Sequence, residues 1–198
     1  MLVAAIIVVT LLLFLISFQV RLNQAAVVFT FGQASRVLAE PGLYWKLPYP
    51  VQTVTTFDTR VNVVRNKYDE GLTRDQHTLI TTVAFGWAIR DPRLFYTSVG
   101  NLQNAREKLS GLVGGAAKNI INKHDLAEFV STDPKVFRLG GVPGGVEEQI
   151  HQAVQGKAME LYGVDIPFPQ IVQLGFPEKV TEEVAEKLRA RGFSAAAI

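Results

Sequence analysis

The stretch 78-TLITTVAFGWAIRDP-92 contains a change of structural period. From Thr78 to Arg90 the odd positions Leu79, Val83, Phe85, Trp87 and Ile89 are large and apolar, while the even positions include Thr78, Thr82, Ala84, Gly86 and Ala88. Side chains of a strand alternate between its two faces, so this spacing predicts a half-buried strand with its heavy residues on one side. Asp91-Pro92 then stops the strand and opens a helix, Asp as the cap and Pro in the first turn.

Outward from this strand the chain differs on its two sides. Before it, Ala26 to Phe31 and Val51 to Val64 are rich in Val, Phe and Thr, and Gly32, Pro41-Gly42, Pro48 and Pro50 punctuate them as turns. After it, Asn101 to Ile121 reads as a helix whose apolar members are Leu102, Leu109, Leu112, Val113, Ile120 and Ile121. Gly111 and Gly114-Gly115 each lower its propensity by roughly 1 kcal/mol relative to Ala. That helix is either held by packing or broken there. Gly140 to Gly145 reads as a loop or linker, and Val146 to Tyr162 as a second helix ended by Gly163. Val164 to Leu174 follows as a strand, in which Pro167 and Pro169 argue for an edge position. A third helix starts with Pro177 in its first position. The fold class is therefore α+β.

At the N-terminus, Leu2 to Phe18 is an apolar run whose polar members are Thr10 and Ser17, and every charged side chain follows it. At about 1.5 Å rise per residue, a helix from Leu2 to about Val20 covers roughly the 30 Å hydrocarbon core of a bilayer. Residues 1–20 are expected to be a transmembrane anchor, held by residues such as Leu2, Ile6, Val9, Leu13 and Ile16. The competing reading is a cleavable signal peptide, which calls for a basic leader, a shorter apolar core and an Ala-x-Ala-like exit. No Lys or Arg precedes the run, and Phe18-Gln19-Val20-Arg21 is a poor cleavage site. A buried core helix fits less well, because such helices usually carry a polar face.

The remaining chain, about 175 residues, is enough for one well-buried domain or two small ones in series. With 20 Lys+Arg against 18 Asp+Glu and no basic stripe, nucleic acid is not an expected partner. The absence of cysteine excludes disulfides, thiolate metal sites and cysteine nucleophiles. His77, His124 and His151 are far apart without metal-ligand spacing. The glycine pairs do not continue into a phosphate-binding Gly-Lys-Ser/Thr, and no Gly-x-Ser-x-Gly exposes a serine. No catalytic, metal or cofactor residue is assigned.

Two segments invite an interaction. Pro41 to Pro50 clusters Tyr44, Trp45 and Tyr49 around Lys46 soon after the anchor, a composition suited to the lipid headgroup region. The same rings could instead fill a core beneath a proline-rich turn. In the final helix Val180, Val184 and Leu188 form an apolar stripe, and Glu183 and Lys187 are placed for an i,i+4 pair. That stripe suits a seam with a neighbouring copy or packing on its own domain.

The order of motifs resembles the stomatin/prohibitin/flotillin/HflK-HflC (SPFH) family. The likeness rests first on Val28-Phe29-Thr30-Phe31-Gly32-Gln33, Glu40-Pro41-Gly42-Leu43-Tyr44-Trp45-Lys46-Leu47-Pro48 and Thr56-Phe57-Asp58-Thr59-Arg60. It continues through Thr73-Arg74-Asp75, Trp87-Ala88-Ile89-Arg90-Asp91-Pro92, Tyr162-Gly163-Val164 and Phe176-Pro177. Within the family the arrangement is most similar to HflC-type members, the partners of HflK.

The resemblance implies a two-part SPFH domain over residues 21–176, a β-rich part followed by a mixed one. The start of a helix over 177–198 follows, through which copies assemble in the membrane. It implies no catalytic activity. Its HflC-type form implies a single-pass protein of the bacterial inner membrane with most of the chain outside the cytoplasm. The expected partners there are membrane lipid, further copies, an HflK-like homologue and the membrane AAA+ protease FtsH, which such assemblies enclose and modulate. The stomatin-like and flotillin-like form implies instead an organiser of lipid domains and channels. Family chains continue as a charged coiled coil, whereas this sequence reaches Gly192-Phe193-Ser194, so the final helix is expected to be truncated.

Overall fold

The computed structural model describes residues 1–66, 69–131, 133, 136–140 and 143–175. The chain divides into two compact units: residues 1–62, 88–102 and 159–165 form the first, and residues 63–87, 103–158 and the described part of 166–198 form the second.

The first unit opens with helix α1 (Leu2–Ile16) and passes directly into strand β1 (Ser17–Val20). Strands β2 (Gln24–Thr30), β3 (Gln33–Leu38), β4 (Gly42–Trp45) and β5 (Gln52–Asp58) follow. β2 lies between β3 and β5 in an antiparallel sheet. It is buried on both faces from Ala25 to Phe29, which explains its run of Ala, Val and Phe without alternation. Thr30 pairs with Gln33, so Phe31-Gly32 makes a two-residue hairpin loop, and both residues have positive φ (51° and 82°). β1 and β4 form a separate antiparallel pair. After Asp91 comes α2 (Pro92–Ser98), whose first turn is capped as expected: Arg93 and Leu94 N–H both donate to the Asp91 carboxylate at 3.0 Å. α2 packs on β2 and β3. Phe95 meets Phe57 edge-on at 5.6 Å, and Tyr96 meets Phe29 at 4.5 Å.

The second unit is built around β8 (Thr78–Ile89), which pairs with β6 (Asn62–Arg65), β7 (Asp69–Leu72) and β9 (Val164–Gly175). β8 corrects the expectation of a half-buried strand. From Thr81 onward both faces are covered, and the small residues at even positions are where neighbours approach, not where water does. The β-rich stretch from Val51 to Val64 holds β5 and the start of β6, and at the turn after β5 Arg60 N–H donates to the Asp58 carboxylate at 2.9 Å. The remaining elements are α3 (Leu102–Ile121), α4 (Leu126–Val130) and α5 (Val146–Tyr162). α3 buries Ala105, Leu109, Val113, Ala117, Ile120 and Ile121. It runs unbroken through its glycines, one of which is demanded by packing: a Cβ at Gly114 would lie 2.8 Å from Asn66 Nδ2 and Asp69 Oδ2. α5 buries Val146, Ile150, Val154 and Ala158, one residue per turn.

Strands β3, β4 and β7 and helix α4 were not anticipated. The N-terminal helix is shorter than the expected span of residues 1–20: it stops at Ile16, and Ser17 to Val20 is strand. Fifteen residues span about 22 Å at 1.5 Å each. Among the described residues no helix is long and apolar enough to cross a membrane. The expected final helix, with Val180, Glu183, Val184, Lys187 and Leu188, lies outside the described residues.

Candidate membrane-facing surface

Helix α1, strand β4 and the segment after β4 carry many of the exposed apolar residues of the first unit. α1 carries no charged side chain, and its one polar group is satisfied internally, with Thr10 Oγ1 donating to Ile6 O at 2.9 Å. Leu2, Ile6 and Leu13 are exposed and Ile16 is half-buried; Val9 belongs to the same helix. The chain leaves the helix against β4, where Lys46 N–H donates to Ile16 O at 2.7 Å.

Pairing fixes which face each aromatic takes. Phe18 lies opposite Tyr44 and Ser17 opposite Trp45. Because facing residues share a side, Phe18 and Tyr44 turn together toward the unit, with ring centroids 6.0 Å apart. Tyr44 Oη also donates to Glu40 O at 3.0 Å. Leu43 and Trp45 take the opposite side of β4, and Leu47 and Tyr49 beyond the strand are exposed as well. Trp45 is 55% exposed and Tyr49 81% exposed, so a core beneath a proline-rich turn does not describe these two rings. The loop is held in place, since Arg36 Nη2 donates to Trp45 O at 3.2 Å and Leu47 N–H donates to Gln52 Oε1 at 2.8 Å. Gln52 Nε2 in turn donates to Thr30 Oγ1 at 3.1 Å, beside Phe31, which is 78% exposed. Of the three residues picked from sequence, Trp45 and Tyr49 are exposed, and Tyr44 is half-buried against Phe18. Leu43, Leu47 and Phe31 are exposed apolar residues of the same unit that were not picked from sequence. Period-two spacing through Leu43, Trp45 and Leu47 was the signal that would have found the first two.

The polar landmarks of the sequence make latches between neighbouring segments. In the second unit Arg74 binds the Asp125 carboxylate through both Nε and Nη2, the Nε contact at 2.8 Å. Burial pushes the Asp75 carboxyl up, but hydrogen bonds from Thr73 Oγ1 (2.5 Å) and Leu126 N (3.1 Å) outweigh it and hold the group below its ordinary range. Glu128 behaves likewise: burial raises it, and contacts with His124 Nδ1 (2.8 Å) and Asp125 N (3.1 Å) bring it down. In the first unit Arg90 pairs with Asp165 at 3.1 Å, and Gly163 O accepts from both Arg90 and Asp91 N–H at 2.9 Å. Among the described residues no group of three acidic or histidine side chains is placed to hold a metal.

The chain thus combines a β-rich unit with a mixed unit of long strands and helices, each latched at its turns. The chain belongs to the SPFH domain / Band 7 family, which residues 18–197 match. It is similar to the "Modulator of FtsH protease HflC" of Escherichia coli, at 23% identity over 95% of this chain and 67% of that protein. It is also similar to "Protein HflC" of Buchnera aphidicola, at 24% identity over 87% of this chain and 59% of the relative.

Proposed function

We propose that this chain is a membrane-anchored, non-catalytic scaffold of the HflC kind, which self-associates and, with an HflK-like partner, modulates an FtsH-type protease. The observation that carries the reading is the alignment with HflC of Escherichia coli over 95% of the chain. The exposed, charge-free α1 supports the membrane part. Its Leu2, Ile6, Val9, Leu13 and Ile16 would enter lipid, and Trp45 and Tyr49 would sit at the headgroup level, where aromatic rings are favoured. The helix itself is about 8 Å short of a 30 Å core by the rise per residue, so the strand pair at its end would lie at the interface and not outside it. The topology that follows is single-pass in a bacterial inner membrane, with the SPFH domain over 21–176 outside the cytoplasm. Copies would meet through Val180, Val184 and Leu188, flanked by Glu183 and Lys187.

The test is extraction of the tagged full chain from its own membranes in mild detergent, followed by mass spectrometry and mass photometry. The reading expects an HflK-like protein and an FtsH-type protease in a complex many times the mass of one chain. Recovery as a single chain, or with a channel and no protease, overturns it, the latter in favour of a stomatin-like organiser.

A further inference from the structure

We propose that His124 is a proton-operated latch within the second unit: its imidazolium form ties α4 to the entry of α5, and the neutral ring releases that entry. The latch rests neither on the apolar residues of the first unit nor on the scaffold reading. The side chain is 15% exposed and has an oxygen at each ring nitrogen. Nδ1 lies 2.8 Å from Glu128 Oε2 in α4, and Nε2 lies 3.3 Å from Gln149 Oε1 in α5.

Both oxygens call for a donor, and only the charged ring has two. Glu128 is held below its ordinary range, because the contacts with His124 and Asp125 N–H outweigh the upward push of burial, so it stays a carboxylate wherever imidazole titrates. Gln149 turns its Oε1 to the ring because its Nε2 donates to Gly144 O at 2.8 Å. A neutral ring with its proton on Nδ1 serves Glu128 and sets a bare Nε2 lone pair against Gln149 Oε1. Reversing the amide repairs that contact and turns Oε1 onto Gly144 O instead. Without the second proton, one of the two contacts is lost in either orientation.

The other two histidines lack this arrangement. His151 Nε2 has Ile166 O at 2.8 Å, a single acceptor that a neutral ring serves as well, and His77 Nε2 is 3.6 Å from Asp75 Oδ2, beyond hydrogen-bond reach. The other charged groups around His124 are engaged elsewhere. On the corner between β7 and β8, Arg74 binds Asp125, and Asp75 accepts from Thr73 Oγ1 and Leu126 N–H. On α5, Glu148 accepts from Gly144 N–H and Gln152 Nε2. Lys123, the preceding residue, is exposed. What hangs on the latch is the first turn of α5. Val146 N–H donates to Arg138 O at 2.7 Å, and Arg138 N–H to Glu128 O at 2.9 Å. Residue 128 therefore holds this entry through its backbone, and through the His124 ring as well when that ring is charged.

The experiment follows amide hydrogen exchange of the full chain in detergent micelles by mass spectrometry, at about pH 5.5 and about pH 8, either side of the imidazole range. Rates are corrected for intrinsic exchange. The folded chain uses a ring proton that the unfolded chain does not, so protection is present at the lower pH and lost as pH rises through that range. Peptides covering residues 146–149 are expected to be protected at least about fivefold more at the lower pH, the difference between a charge-assisted and an ordinary hydrogen bond. His124→Gln should make that protection independent of pH. Gln149→Met keeps the ring and its Glu128 partner and should do the same, so a variant that fails to fold leaves the other to decide. His77→Gln and His151→Gln are the controls and should keep the dependence. The proposal is overturned if the parent shows no difference between the two pH values, if either control abolishes the difference, or if the difference survives Gln149→Met.

Discussion

Replacing Gly163 by Ala tests whether the family landmark Tyr162-Gly163-Val164 is there for backbone geometry. Gly163 ends α5 with φ of +65°, a conformation that costs an L side chain about 1–2 kcal/mol. A Cβ there would also lie 2.6 Å from Asp91 O and 2.9 Å from Asp91 Cβ. The nearest atom is a backbone carbonyl that cannot rotate away, so the chain must shift. The shift strains the two hydrogen bonds that Gly163 O accepts from Arg90 and Asp91 N–H, each a net contribution of about 0.5–1.5 kcal/mol. The expected loss is about 2–4 kcal/mol, among the larger effects of a point mutation. Gly156→Ala is the contrast. It lies within α5, exposed, with nothing within 4 Å of a new Cβ, and should gain about 0.5–1 kcal/mol. Urea unfolding of the full chain in micelles, followed by circular dichroism, measures both as a change of midpoint at constant slope. If Gly163→Ala lies within about 0.5 kcal/mol of the parent, or both variants move the same way, the latch is not what the glycine provides.

Trp87 is buried in β8, so Trp87→Ala should cost about 3–5 kcal/mol in the same assay; a change under about 0.5 kcal/mol would place that ring outside the core. Asp75 and Glu128 are held below their ordinary range, so the unfolded state binds the extra proton: their stabilisation is present above about pH 4.5 and lost as pH falls through the lower folded values. Asp75→Asn with Glu128→Gln should flatten the acid limb of a stability profile between about pH 3 and 6, and an unaltered limb would remove these groups from the account. With Trp87→Phe leaving Trp45 as the only indole, brominated lipid should quench the fluorescence of the chain in vesicles; quenching by aqueous iodide alone would put the Trp45 ring in water.

The elements legible in the sequence were those decided by local signals. α5 runs from Val146 to Tyr162 as its pattern predicts, and α2 begins where Asp91-Pro92 places it. Burial on β8 was misjudged because alternation reports side-chain size on two faces, and a small residue at an even position is as compatible with a close neighbour as with solvent. β4 and β7 are four residues each, too short for a period to rise above turn chemistry. Their conformation is set by partners, β1 and β8, that are distant in sequence. The end of α1 fails for the same reason. Nothing in Ser17 to Val20 opposes a helix as strongly as pairing with β4 opposes it.

Among the candidate site residues, the aromatics were found by composition, but their orientation required register. Tyr44 and Trp45 are adjacent in sequence, equally suited to an interface, and on opposite faces once Phe18 and Ser17 select their partners. The family landmarks carry a related lesson. Phe31-Gly32 is a hairpin loop, Asp58-Thr59-Arg60 a turn closed by its own carboxylate, Thr73-Arg74-Asp75 a corner tied to Asp125 and Leu126, and Asp91-Pro92 a helix cap that meets Gly163. These residues specify where the chain bends, so they report fold and say little about partners. What distinguishes one family member from another must then lie on the surfaces that the landmarks leave free, such as the exposed side of β4 with Leu43 and Trp45.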